Sequence, residues 1–403
     1  MLLDGNLPDP LRLLLDLPEP EKAERGVAHT PREIYQQPAT WNATYSRCCE
    51  HSADLSTMLR RSGVGRGIGS APAIYLIGAG SSDYIGRTLA PLLRSRWACD
   101  VWAIPSTTLL TDFDELHLPR RTYLWISFSR SGDSPEGVAL LDRALHRHPN
   151  IQHLVITCNQ KGQMAQLCSE NEQRARALIL DEAVNDRSLA MTSSFTNMVL
   201  AGQCLAHLDD LGEFGEVVTR IVDAGRQFLS AAAHAAHAIM DLACTRACFV
   251  GSGALRAVAD ESALKVVELS AGNIGTLAET PLGLRHGPLS SVNDQTAFVA
   301  FLSSETRRRG YELDLLREIN RKQLGRVRAA VTGPHDDDVS SLVDHCLTVE
   351  RAPNLLDPYR AVLDVMFGQL MGLFASIRCG FKPDQPSPSG TINRVVAPIR
   401  LYT

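Results

Sequence analysis

Three short segments recur along the chain at an almost constant separation, and this recurrence constrains the fold more than any other feature. "YLIGAGSS", from Tyr75, returns as "CFVGSGAL", from Cys248, with Gly78 and Gly251 173 residues apart (251 − 78). "WISFSRS", containing Ser129, returns as "VAFLSSE", containing Ser303, after 174 (303 − 129). "LVITCN", with Thr157, returns as "RAAVTG", with Thr332, after 175 (332 − 157). Each is an apolar run of strand length that ends in small residues. A period this long is that of a whole domain, so the pattern predicts a duplicated domain.

Around these landmarks, strand-like runs alternate with amphipathic stretches, the signature of an α/β fold with parallel sheets. Strands are expected at Ala73–Ile77, Val101–Ile104, Tyr123–Phe128, His153–Thr157 and Ala177–Leu180, then at Ala247–Gly251, Ala297–Leu302, Val327–Thr332 and Cys346–Glu350. Helices are expected at Tyr84–Arg96, Pro135–His146, Thr192–Leu208, Gly215–Leu242, Leu255–Ser270, Arg307–Leu324 and Pro358–Ile377. This divides the chain into an N-terminal arm and helix (1–45), a first domain (46–215), a second domain (216–385) and a tail (386–403). Thr30-Pro31-Arg32-Glu33 reads as a capping box with Pro in the first turn, and the residues before His29 as a loosely held arm.

Composition excludes several classes. The formal charge is −5, so there is no basic footprint for nucleic acid. No apolar run reads as a membrane span, and Leu11–Leu17 carries Arg12 and Asp16 without a preceding basic region, so it does not read as a secretory signal. Ten cysteines lie scattered without a C-x-x-C pair, which predicts reduced thiols in a cytoplasmic protein and no metal site.

The chemistry falls into two groups. The first copy offers two turns rich in Ser and Gly that leave strands: Gly78-Ala79-Gly80-Ser81-Ser82, and Ser127 to Pro135 with Ser129, Arg130, Ser131 and Ser134. N–H donors, hydroxyls and a helix start converging at such turns suit a phosphate. The corresponding second-copy segment, Ser303 to Arg307, has no Gly and has gained Glu305, so the phosphate is expected in the first copy. The second copy instead carries Glu261, Lys265 and Glu268 at i, i+4 and i+7, on one face of an otherwise apolar helix. An exposed ladder of that kind would be worth only a few tenths of a kcal/mol; a buried one is a candidate acid–base set. His286, in Leu284-Arg285-His286-Gly287-Pro288, lies in a loop downstream of it.

These residues resemble a known family. "SFSRSGDSPE", "ESALKVVE" and "RHGP" are similar to the phosphate loop, catalytic helix and histidine loop of the sugar isomerase (SIS) superfamily. "HTPREIYQQPATW", "NDRSLAMTSSFTNM", "LGLRHGPLSSVND", "LDLLRE" and "PSPSGTINRVV" resemble, more narrowly, the galactosamine-6-phosphate deaminase/isomerase family, long called tagatose-6-phosphate ketose/aldose isomerases. The resemblance runs from about His29 to the tail. It implies two tandem SIS domains, each doubly wound and flavodoxin-like. It places Ser82, Ser129, Arg130, Ser131 and Ser134 at the substrate phosphate, with Ser81 beside Ser82 in the first turn as a further candidate, and Asn393 and Arg394 in a tail that closes on the sugar. Glu268 is implied as the carboxylate that moves a proton between C1 and C2, flanked by Lys265 and Glu261, with His286 assisting ring opening. A homodimer with shared sites is implied as well. The chain departs from the family at Leu289, where a Lys is usual, and at Ala278-Glu279, where an aromatic–acidic pair is frequent.

The expected activity is conversion of D-galactosamine 6-phosphate to D-tagatose 6-phosphate and ammonia, without cofactor. The alternatives are deamination of glucosamine 6-phosphate, plain aldose–ketose isomerisation, and a non-catalytic sugar-phosphate sensor. The only expected ligand class is a small sugar phosphate, with neither nucleic acid nor membrane as a partner.

Overall fold

The apolar runs form two five-stranded parallel sheets. The structure, a computed structural model, describes residues 9–65, 71–333, 335–349, 354–387, 389–397 and 399–402. The first sheet comprises β1 (Ala73–Gly78), β2 (Val101–Pro105), β3 (Tyr123–Ser129), β4 (Ile151–Thr157) and β5 (Ala175–Ile179), in the order β2-β1-β3-β4-β5. The second comprises β6 (Arg246–Gly251), β7 (Gly275–Glu279), β8 (Thr296–Phe301), β9 (Val327–Thr332) and β10 (His345–Thr348), in the order β7-β6-β8-β9-β10. The two orders are the same. In β1, β3 and β8 every residue is buried, which is why they read as continuous apolar runs rather than alternating ones.

The chain divides into two compact units. One contains the first sheet and comprises Ala39–Asp186, Ser193–Val218 and the residues from Ile392 onward. The other contains the second sheet and comprises the residues up to Pro38, Arg187–Thr192 and Thr219–Thr391.

Equivalence between the sheets extends to single residues. Ile77 lies opposite Ser127 and Val250 opposite Ala300, so both strands of the pair repeat at 173 (250 − 77 and 300 − 127). On this ladder Ser303 stands where Arg130 does and Ser304 where Ser131 does (304 − 131 = 173). Matching Ser303 to Ser129 by letter is therefore one residue out, a slip that would reverse every side chain along a strand. At the turns, a Cβ on Gly78 would lie 2.3 Å from the Ser82 backbone carbon, and one on Gly251 2.2 Å from Leu255 O. Gly80 (φ 55°) and Gly253 (φ 58°) cap the helices that follow, in a region only glycine enters freely. Ala98 and Ala271, again 173 apart (271 − 98), share the left-handed region at φ 48° and 47°.

Several expectations change. The N-terminal segment is not loose from Pro10 on: Pro10–Leu15 and Glu19–Arg25 are helices, and Leu11, Leu14 and Val27 are buried. The Thr30–Tyr35 helix takes His29 as its N-cap, and no capping box forms, because both side chains find partners far along the chain. Thr30 donates its N–H and hydroxyl to Asp384, while Glu33 accepts from Arg187 N, Ser188 N and Ser188 Oγ. Strand β7 gave no sequence signal, since it is an edge strand with no fully buried residue. The expected Cys346–Glu350 strand is β10, and Glu350 lies outside the described residues.

The helix Asp357–Arg378, against the sequence reading, is long and apolar enough to cross a membrane, with a mean hydropathy of 1.3 over its best stretch. That stretch is 94% buried inside the protein, as befits a core helix. It lies against the helix Ala254–Leu269 at backbone distance. A Cβ on Gly368 would come within 2.8 Å of Ser262 Cα, and one on Gly372 within 2.9 Å of Lys265 O. The spacing Gly-x-x-x-Gly is that of closely packed helices.

Candidate active site

In the first-sheet unit, β1 and β3 are neighbours with β2 and β4 outside them, so strand order reverses between them. This switch point is where open α/β sheets bind ligands, at the carboxyl ends of the strands. Both serine turns leave from it. Ser81 and Ser82 open the Ser81–Trp97 helix and are buried. Ser129 ends β3, Arg130 and Ser131 follow, and Ser134 is the N-cap residue of Pro135–Arg147, with no side-chain cap bond. Ser129 Oγ accepts from Gly132 N at 3.0 Å and Ser131 Oγ from Asp133 N at 3.2 Å. Each hydroxyl thus accepts from the loop through its oxygen and still has a proton to donate. Asp133 in turn accepts from Gln163 N at 2.9 Å, and Asn159 Nδ2 donates to Ser131 O at 2.8 Å, which fixes the loop's shape.

The tail straps this loop. Arg130 Nη2 donates to Arg394 O at 2.8 Å, while Arg394 donates from Nε to Asp186 O (2.8 Å) and from Nη2 to Asn185 Oδ1 (2.7 Å). Asp186, a residue sequence reasoning missed, uses its carboxylate to cap the Ser193–Ala206 helix through Ser193 N and Ser194 N. As placed, the Arg394 guanidinium is a strut rather than a free donor. Asn393 beside it is exposed.

In the second-sheet unit, the helix Ala254–Leu269 starts at the β6 turn and carries the charged stripe. Lys265 Nζ lies 2.6 Å from Glu268 Oε2 and 3.4 Å from Glu261 Oε1. Lys265 is 1% exposed and Glu261 wholly buried, whereas 24% of the Glu268 side chain meets solvent. The stripe is therefore no surface ladder. One cation is flanked by two carboxylates, and only Glu268 reaches outward. A buried lysine so placed fixes Glu268's orientation and screens its charge.

His286 follows the short helix Pro281–Leu284 and is exposed, next to Gly287 at φ +118°. The loop is held at both ends. Arg256 bridges Asp260 (3.1 Å) and Glu279 (2.5 Å), Thr280 Oγ1 accepts from Gly283 N (3.0 Å), and Arg285 Nε pairs with Glu318 at 2.9 Å. Burial opposes the charge on Glu279, but the Thr280 N–H and the Arg256 guanidinium outweigh it and hold the carboxyl below the usual range. The Arg256–Asp260 pair could have been found from its i, i+4 spacing; Glu279 could not, being a tertiary partner. Among the described residues no cluster of His, Cys, Asp or Glu is arranged to hold a metal.

Comparison with known proteins places this geometry. A model of the SIS domain matches residues 68–208, the stretch that contains the first sheet. The D-galactosamine-6-phosphate deaminase AgaS of Escherichia coli O157:H7 is 34% identical over 93% of this chain and 95% of its own length. This chain belongs to the D-galactosamine-6-phosphate deaminase AgaS family. Another AgaS, from Shewanella sp. (strain ANA-3), is 30% identical over 94% of this chain and 92% of its own. The crystal structure of tagatose-6-phosphate ketose/aldose isomerase from Escherichia coli superposes with a TM-score of 0.82 at 32% identity, over 88% of this chain and 95% of that one. Membership in the AgaS family makes the chain an enzyme, and its two parallel five-stranded sheets are those of the tandem SIS-type fold expected from its sequence.

Proposed function

We propose that this enzyme is an amino-sugar-phosphate deaminase/isomerase that converts D-galactosamine 6-phosphate to D-tagatose 6-phosphate and ammonia. The observation that carries the reading is the buried Lys265 holding Glu268 at 2.6 Å while Glu268 stays accessible. That is a positioned carboxylate, suited to moving a proton between adjacent carbons.

The serine turns and Arg130 grip the phosphate. His286 passes a proton between the C1 hydroxyl and the ring oxygen, which opens the ring to the aldehyde. Glu268 removes the C2 proton, made acidic by that aldehyde, and returns it to C1, while Lys265 steadies the enediol-like charge. With nitrogen on C2 the product is a ketimine, and water adds to it to give the ketose phosphate and ammonia. Written this way the reaction balances without a redox partner. The exposed position of His286 is consistent with a homodimer in which this histidine serves the neighbouring copy. The same reading puts the enzyme in the cytoplasm.

The deciding experiment follows ammonia release from galactosamine 6-phosphate and, separately, from glucosamine 6-phosphate. Release from the galacto sugar alone is expected. Release mainly from the gluco sugar would keep the mechanism and change the substrate; tight binding of either without release would replace the deaminase with a sensor.

A further inference from the structure

The second sheet has the same pair of turns as the first, yet its donors already hold an anion supplied by the protein. After β8, Ser303 Oγ donates to Asp357 Oδ2, and Ser304 donates both its N–H (2.7 Å) and its hydroxyl (2.8 Å) to Asp357 Oδ1. Arg308 Nη1 lies 3.6 Å from the same carboxylate. It also crosses the β6 turn, where a Cβ on Gly253 would come within 2.9 Å of it. Two more arginines hold the loop by its carbonyls: Arg309 donates to Ser303 O at 3.4 Å, and Arg360 to Leu302 O. Ser303 N donates to Glu312 Oε2 at 2.7 Å.

Asp357 is 2% exposed. A buried carboxylate with two hydroxyls, a backbone N–H and a guanidinium around it sits in the set of donors that recognises phosphate. The positions agree too: Gly253 stands at Gly80 (253 − 80), each just before its helix, and Ser303 and Ser304 leave β8 as Arg130 and Ser131 leave β3.

We propose that the second sheet carries a latent site for a phosphate-class anion, at the Gly251–Gly253 and Ser303–Ser304 turns, closed from within by the Asp357 carboxylate. With its donors and positive charge already engaged, this loop takes no external anion, and each chain keeps one turn pair for a phosphoryl group. Burial raises the pKa of the Glu312 carboxyl, which lessens its repulsion of an anion admitted in place of Asp357.

Equilibrium dialysis of the full chain against radiolabelled inorganic phosphate counts the sites. D357S removes the carboxylate and leaves its donors, so it is expected to bind one more phosphate per chain than the wild type. Adding S303A and S304A to D357S should abolish that extra equivalent. Because the readout is a difference, it stands whether or not the first-sheet turns prove to bind phosphate. A D357S chain with the wild-type circular dichroism spectrum and no extra phosphate overturns the proposal. Should D357S fold poorly in chloride, refolding in phosphate must recover it, and must do so better than for the variant that also lacks both serines; equal recovery overturns the proposal as well.

Discussion

Lys265 and Glu268, three residues apart on one helix, form a 2.6 Å ion pair in which the cation is buried and the carboxylate is not. Only the carboxylate is placed to touch a substrate, with the lysine charge directly behind it. E268Q keeps the shape and loses the base, so turnover should fall by roughly 10²–10⁴-fold, with phosphate-dependent substrate binding preserved in calorimetry. K265M removes the buried cation from between the Glu261 and Glu268 carboxylates and should cost about 3–5 kcal/mol in urea unfolding. Adding E261Q to K265M should restore part of that stability without restoring turnover. Full activity in E268Q would remove Glu268 from the mechanism.

On the proposed mechanism the strap formed by Arg394 should act on binding rather than on chemistry. R394A releases both Arg130 and the Asn185–Asp186 turn, so KM for the sugar phosphate should rise about tenfold, near 1.4 kcal/mol, with kcat little changed. R394K should not rescue it, since an ammonium cannot reproduce two divergent N–H donors. A loss confined to kcat would contradict the strap.

His153 in β4 is wholly buried, and neither ring nitrogen has a hydrogen-bond partner. Burial, with Arg174 adding to it, lowers its pKa to about 3. Below the ordinary histidine value near 6.5 the unfolded chain takes up a proton that the folded chain refuses. Stability present above that pH is therefore lost as pH falls toward 3. H153L has no such proton to take up. Its stability relative to the wild type, from urea midpoints, should improve by roughly 1.5 kcal/mol between pH 6.5 and 5; a pH-independent difference would mean that His153 is protonated in the fold.

Two glycines test the fold in opposite directions. In G78A the new Cβ meets the Ser82 backbone at 2.3 Å, so the β1 turn must open; a loss of several kcal/mol is expected, with phosphate binding lost as well. Gly310 lies in the exposed part of the Thr306–Arg321 helix with nothing near its missing Cβ. G310A should stabilise by about 0.5–1 kcal/mol. Thermal melts of the two variants settle both.

Much of this was legible in the sequence because it is local. Buried parallel strands announce themselves as apolar runs, and Glu261, Lys265 and Glu268 share a face by helical geometry alone. What stayed hidden depends on partners far along the chain. Thr30 and Glu33 have the letters of a capping box, yet they serve Asp384 and Ser188. Asp357, one residue before the expected Pro358–Ile377 helix, carried no signal in the sequence, yet it is the counter-charge of the Ser303–Ser304 loop. The 174-residue match of Ser129 to Ser303 failed because letters cannot see a ladder, whereas Gly78 and Gly251 matched because sterics allow no other residue there.

The glycine pair 368 and 372 bears on how this enzyme can change. Where the Ala254–Leu269 helix meets Asp357–Arg378, the backbones of the two glycines lie directly against Ser262, Lys265 and Leu269, with no room for a further methyl group. The close approach seats the helix that carries Glu268 directly on the core helix. Sliding that carboxylate would first have to part the two helices. Leu289 and Glu279 lie outside that contact, so on the proposed reading they are the positions at which sugar preference can change without disturbing the helix pair.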